Sequence, residues 1–130
     1  GGAHFERRLP CRGAALADFD DDGALDVLLT MIEGPTVLLR GQVPAGRHWV
    51  ALSARVGARL TVRAGDRTWV RHVHVPSGYL VQHDPRLHIG LGDSERIDEV
   101  SVRWPSGREE RFRNLEVDRA HTLVEGRGSP

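Results

Sequence analysis

Apolar and polar side chains alternate with a period of two along most of this 130-residue chain, and no long segment repeats its apolar residues at helical spacing. Leu60, Val62 and Ala64 alternate with Arg59, Thr61 and Arg63, after which Gly65-Asp66 supplies a turn into residues 68–75, the pattern of a hairpin. Leu87, Ile89 and Leu91 alternate with Arg86, His88 and Gly90, and Val100, Val102 and Trp104 alternate with Ser101 and Arg103. Both segments read as half-buried strands. Pro105-Ser106-Gly107 then turns the chain into residues 108–112, and residues 122–124 make a closing strand. With 15 Gly and 7 Pro as punctuation, the chain reads as all-β, its main body a β-sandwich of about seven or eight short strands.

Charge and composition remove several classes of function. The 18 basic residues balance 18 acidic ones, so the chain lacks the one-sided basic field that nucleic-acid or anionic-membrane binding needs. The longest apolar stretch, residues 27–32, is broken by Thr30 and falls far short of the ~20 residues that span a bilayer. The chain reads as soluble, without membrane insertion. No basic-then-apolar leader pattern is present, and the chain opens Gly1-Gly2 without Met, as a processed or excised piece would. Cys11 is the single cysteine, which excludes an internal disulfide and a cysteine-based zinc site. It lies between Pro10 and Arg12 with no evident His partner, so it reads as incidental rather than nucleophilic. Every basic residue is Arg, which removes lysine Schiff bases, a P-loop lysine and a lysine general base. The same bias fits a GC-rich bacterial coding background.

The front third has a different texture. Residues 14–17 and 25–31 are short apolar runs flanking an acidic loop, and Glu33-Gly34-Pro35 turns the chain into residues 36–39. A soft boundary falls at residues 41–46, where Gly, Pro and Ala cluster. The loop reads Asp18-Phe19-Asp20-Asp21-Asp22-Gly23-Ala24-Leu25-Asp26. Asp18, Asp20 and Asp22 take the first, third and fifth positions of a cation loop, Gly23 the sharp turn, Ala24 a backbone carbonyl ligand and Asp26 the last carboxylate. Hard oxygens at this spacing suit Ca²⁺, which accepts six to eight of them at roughly 2.3–2.6 Å, better than Mg²⁺, which keeps more of its waters. An EF-hand needs a bidentate Glu at the twelfth position and flanking helices; that position is Leu29 and the flanks read as strands. Without a cation these carboxylates repel one another, and neither Arg12 nor Arg40, distant along the chain, reads as sufficient to neutralise them. The plainer alternative is a solvated Asp-rich turn or a helix N-cap.

Residues 13–28, Gly13-Ala14-Ala15-Leu16-Ala17-Asp18-Phe19-Asp20-Asp21-Asp22-Gly23-Ala24-Leu25-Asp26-Val27-Leu28, resemble an FG-GAP (VCBS-type) repeat, the calcium-loop repeat of integrin-like β-propellers. Ser77-Gly78-Tyr79-Leu80, Asp84-Pro85-Arg86-Leu87-His88-Ile89-Gly90-Leu91-Gly92 and Val102-Arg103-Trp104-Pro105-Ser106-Gly107 resemble the ASPIC/UnbV domain, which follows FG-GAP repeats in cartilage-acidic-protein-like chains. The resemblance implies a calcium-binding, secreted or periplasmic β-protein, with matrix or adhesion roles suggested for animal members. It divides the chain into an N-terminal extension (1–12), an FG-GAP-like repeat (13–41), an ASPIC/UnbV-like sandwich (46–126) and a tail (127–130). One repeat cannot close a propeller, so either it packs onto the sandwich or the chain is the C-terminal piece of a longer protein with upstream blades.

Other chemistry is weaker. His72 and His74 are two apart on one expected strand and share a face, with His88 on a neighbouring strand and also facing outward; three imidazoles bind Zn²⁺ or Cu²⁺ when they converge, but the three read as ordinary exposed strand histidines. His83 and Asp84 beside Tyr79 form a candidate acid/base cluster, although Asp84-Pro85 also reads as the start of a turn. Trp49, Trp69 and Trp104 are expected to pack the sandwich, a surface Trp being needed for carbohydrate stacking. Arg103, Arg108, Arg111 and Arg113 interleave with Glu109 and Glu110 and read as a solvated charged edge.

The expectation is therefore a non-catalytic module. Ca²⁺ at Asp18, Asp20, Asp22, Ala24 and Asp26 fixes a rigid surface for a protein or glycan partner, with homo-oligomerisation a further option. The alternatives are a metal-assisted isomerase or cyclase using Tyr79, His83 and Asp84, and a fragment whose function needs upstream propeller blades.

Overall fold

A computed structural model of the chain describes residues 10–75, 77–78 and 81–130. All regular structure among them is β, as the alternation requires. Strands β1 (Cys11–Ala17), β2 (Asp26–Met31) and β3 (Val37–Leu39) form an antiparallel sheet in the order β1-β2-β3. The acidic loop is the β1–β2 connection, anchored where Ala17 pairs with Asp26.

The remaining strands build two facing sheets and one short separate pair. They are β4 (His48–Ser53), β5 (Arg59–Ala64), β6 (Arg67–His72), the short pair β7 (Ser77–Gly78) and β8 (Val81–Gln82), β9 (Leu87–Gly92), β10 (Glu99–Arg103), β11 (Glu109–Phe112) and β12 (Arg119–Thr122). One sheet has the order β11-β10-β5-β6 and the other β12-β4-β9, while β7 and β8 pair with each other. The alternating residues meet between the sheets: Leu60 and Val62 of β5, Val100 and Val102 of β10, Ile89 and Leu91 of β9 and Val50 and Leu52 of β4 form one buried cluster. Trp104 is buried in that core and Trp69 packs partly buried against it, so both serve the interior.

The expected hairpin is β5–β6, turning at Gly65 with φ 56° as its left-handed position demands. Hydrogen bonds of Val73 with Gly57 and Ala58 carry its pairing one residue past the end of β6. The closing strand sits earlier than the apolar run at residues 122–124 suggests. It is β12, parallel to β4, with Leu123 just beyond it buried and its N–H donated to the Ser53 carbonyl. Parallel pairing with a central strand, rather than an alternating pattern of its own, selects these residues. Beyond Gly126 the chain lies along β11, where Arg111 and Ser129 exchange both backbone hydrogen bonds.

The first sheet contributes nothing to the sandwich core. Leu16, Leu28 and Leu38 remain exposed on it. Leu28 pairs with Ala15 and Leu38, whereas Leu16 pairs with Val27, so the two sets project from opposite faces.

Candidate metal centre and its braces

The acidic loop is shaped by its own carboxylates. Asp18 Oδ1 accepts the Asp22 N–H at 3.0 Å and its Oδ2 accepts the Gly23 N–H at 2.9 Å. Asp22 Oδ1 accepts the Ala24 N–H at 2.8 Å. Asp26 holds the ends together, with Oδ2 on the Phe19 N–H and Oδ1 on the Gly41 N–H. Asp18 and Asp26 are only 4% and 2% exposed, so these contacts provide the polar partners that burial requires. Left-handed backbone at Asp21 (φ 56°) and Gly23 (φ 88°) folds the chain tightly enough to do this.

The result brings Asp18, Asp20 and Asp22 together, with one carboxylate oxygen from each lying within 4.8 Å of the others. Asp18 is buried, whereas Asp20 and Asp22 face solvent. Three hard, anionic oxygens at this spacing match the donor chemistry of a divalent cation of the calcium type. Asp26 stands outside this trio, engaged by two amides, although each carboxylate oxygen retains a second lone pair.

Two arginines distant in sequence also reach the loop. Arg40 is paired with Asp20 and lies 4.0 Å from Asp22. It therefore reaches the loop despite its sequence separation, although a single exposed arginine leaves most of the carboxylate charge unbalanced. Arg86 donates Nη1 to Asp21 at 2.5 Å and Nη2 to the Asp18 carbonyl at 3.0 Å. Its other bonds go to Asp84, from Nε to both carboxylate oxygens and from Nη2 at 2.7 Å.

Asp84 is thus a brace for the loop. Burial opposes its ionisation, but hydrogen bonds from the Arg86 side chain and backbone and from His88, with the Arg86 charge, prevail and hold its carboxyl well below the usual carboxylate range. The bonds to Asp84 in turn prevail over burial to raise Arg86 above its ordinary value. The Asp84 carboxylate also accepts the Arg86 N–H, as an Asx turn does, so the Asp84-Pro85 bend is real.

His88 does not face outward. Its side chain is 8% exposed, with Nε2 3.0 Å from Asp84 Oδ2 and Nδ1 buried without a partner among the described residues. His72 and His74 are exposed, and His74 Nδ1 bonds the His72 carbonyl. The three do not form a metal cluster among the described residues; only the Asp trio does. His83 Nδ1 accepts the Leu16 N–H at 3.0 Å, and the Asp84 N–H is donated to the Leu16 carbonyl, which ties residues 83–84 to β1. His74, His83, Asp84 and His88 nevertheless share the wall of a cavity of ≈ 200 Å³. Tyr79 lies outside the described residues.

Cys11 is exposed beside Met31. The arginine edge is interleaved as its sequence suggests: Arg103 faces Glu109, Arg108 pairs with Glu110, and Arg111 and Arg113 flank Glu99. The Arg113 hydrogen bond lowers the Glu99 value. Within that edge Glu110 is buried, accepting the Trp104 indole N–H at 2.7 Å and the Gly126 N–H. Its position in an alternating Glu-Glu-Arg-Phe run was the only sequence signal for this.

Trp49 joins the loop to the sandwich. Gly23 packs on its indole so closely that a Cβ there would lie 2.1 Å from the ring. Gly41 is equally confined, with the Leu25 carbonyl 2.6 Å from where its Cβ would stand. Neither role is visible in local sequence.

The chain is 32% identical over 109 residues to Cartilage acidic protein 1 of Homo sapiens, covering 74% of this chain and 16% of that protein. It is 31% identical over 109 residues to Cartilage acidic protein 1 of Xenopus tropicalis, with the same coverage. The chain thus spans only 16% of the length of these curated relatives. The ASPIC and UnbV family pattern matches residues 53–130, which takes in the sandwich from the end of β4 through β12 and the strand-like terminus beyond. With more than half the sequence matched in this way, the chain belongs to the ASPIC and UnbV family.

Proposed function

We propose that the protein is a non-catalytic, calcium-dependent β module for protein or glycan interaction outside the cell, with Ca²⁺ held by Asp18, Asp20, Asp22, the Ala24 carbonyl and Asp26. The observation that carries this reading is the convergence of the Asp18, Asp20 and Asp22 oxygens within 4.8 Å. On this reading residues 13–41 are an FG-GAP-type repeat packed onto the family sandwich. Bound Ca²⁺ offsets carboxylate repulsion and fixes the loop. Arg86 and Trp49 then transmit that order to β9 and β4, because both residues touch loop and sandwich together.

The enzymatic alternative draws less support. Asp84 is already shared by Arg86 and His88, and His83 Nδ1 receives a backbone N–H, arrangements suited to bracing more than to moving protons. The fragment reading has its own observation in the exposed leucines on both faces of the first sheet. Sheets of this kind gain cover from neighbouring blades, so a longer form with upstream repeats should bury Leu16, Leu28 and Leu38 and protect the β1–β3 amides from exchange.

Calorimetric titration of chelator-stripped protein tests the calcium assignment. One Ca²⁺ per chain, with much weaker Mg²⁺ binding and loss of the signal in the Asp20→Ala/Asp22→Ala double variant, is the expected result. Absence of saturable binding in the unaltered protein would leave the loop as a solvated acidic turn.

A further inference from the structure

A cavity of ≈ 490 Å³ opens where the acidic loop, the start of β4 and the far sheet of the sandwich meet. Two arginines line it, Arg47 just ahead of β4 and Arg67 at the start of β6. Arg47 leads into one sheet and Arg67 opens a strand of the other, yet their heads converge above one glycine. The position a Cβ on Gly92 would occupy lies 2.5 Å from Arg67 Nη1 and 3.6 Å from Arg47 Nη1. Gly92 has φ 70°, so its missing side chain both permits the turn and leaves room for the guanidinium.

Neither arginine pairs with a carboxylate among the described residues, a condition shared by Arg12, Arg59, Arg63, Arg71 and Arg127; what distinguishes Arg47 and Arg67 is that their heads converge at Gly92. Two like charges sharing one small volume repel, and an anion between them removes the repulsion. The rest of the wall is of different character. Trp49, Val43, Pro44, Leu25 and Ala24 supply apolar surface, and His48 and Gln42 supply polar edges. The hollow is shallow and open to solvent, so a ligand would lie along it with one face exposed.

We infer that this cavity binds a small organic anion whose carboxylate or sulfate is held jointly by Arg47 and Arg67 while its body rests on the Trp49 side of the wall. The planar guanidinium forks match either oxyanion. The inference stands on the arginine geometry and does not require calcium, although Gly23 and Ala24 of the acidic loop form part of the wall.

Titration by calorimetry at low ionic strength, in EDTA and separately with Ca²⁺, tests it with four probes: glucuronate, glucose 6-sulfate, glucose and inorganic sulfate. The two sugar-borne anions are expected to bind saturably and glucose not at all. Binding should weaken at least tenfold in Arg47→Ala/Arg67→Ala with an unchanged melting temperature, since both side chains are exposed. The single variant Arg67→Gln gives an independent arm, and Arg71→Ala, at the other cavity, should bind as the unaltered protein does. Equal binding by the double variant, or no saturable binding of either sugar anion, overturns the inference. Inorganic sulfate binding as tightly as both sugar anions overturns the organic ligand class. Failure of the calcium titration with intact anion binding would count against the calcium reading alone.

Discussion

Gly23 and Trp49 are packed so tightly that the indole fills the space a side chain at position 23 would need, at 2.1 Å from the Cβ position. The turn of the acidic loop and the first residues of the sandwich's central strand are therefore one contact. Gly23→Ala must move the indole and also place a Cβ on backbone with φ 88°. It should destabilise the protein by roughly 2–4 kcal/mol. Gly34→Ala, at φ 106° but with open space around it, should cost only about 1 kcal/mol from backbone strain. Chemical denaturation of the two variants side by side separates the packing effect from the strain.

Asp84 should make the protein acid-sensitive in a definite direction. Its folded-state value is depressed, so its ionised form stabilises the fold at pH above the ordinary carboxylate value of about 3.9 and that contribution is lost as pH falls through the folded value. Asp84→Asn should lower stability at pH 7 by about 3 kcal/mol, because Arg86 then lies partly buried without its main partner. The gap between variant and unaltered protein should stay constant from pH 7 to about 5 and narrow only below about 4. A gap that closed near neutrality would assign the effect to another group.

Glu110 should be as sensitive to substitution as Asp84, for reasons inside the sandwich core. Glu110→Ala strands the Trp104 indole N–H and the Gly126 N–H and leaves Arg108 without its partner. The expected loss is about 3 kcal/mol, read from the urea midpoint at constant slope. Glu110→Gln keeps an acceptor of the same size and should lose less than half of that.

Arg40 competes for the same oxygens as the proposed ion. Its side chain is 61% exposed, so the ion pair with Asp20 is weak and screened. Arg40→Gln should raise Ca²⁺ affinity by about two- to fivefold, the scale of an exposed pair. Weaker binding in this variant would mean that the arginine supports the loop instead of contending for it.

Much of the framework was legible because alternation reports burial on one face. β5, β9 and β10 stand where Leu60–Val62, Ile89–Leu91 and Val100–Val102 place them. β4 is different: Trp49, Val50, Ala51 and Leu52 are all buried, so a strand between two partners and covered on both faces shows no alternation. The convergence of Asp18, Asp20 and Asp22 was readable because all its parts are local and glycine marks its turn. The braces were not. Arg86 lies 68 residues from Asp18, and nothing near Asp84 in sequence distinguishes a buried ion pair from a surface turn. Glu110 was hidden for the same reason, since its partners Trp104 and Gly126 meet it only through the β10–β11 hairpin and the returning terminus.

The most direct test of calcium as a structural ion is a set of thermal melts of stripped protein, with EDTA and with saturating Ca²⁺, for the unaltered chain and for Asp20→Asn/Asp22→Asn. The unaltered protein should melt at a clearly higher temperature with Ca²⁺, and the rise should grow with ion concentration as ligand-linked stabilisation requires. The double variant should show no rise while keeping the far-ultraviolet spectrum of a β-protein. Equal melting temperatures with and without Ca²⁺ in the unaltered chain, across concentrations up to the millimolar range typical of extracellular sites at roughly 10⁻³ M, would contradict a structural role for the ion.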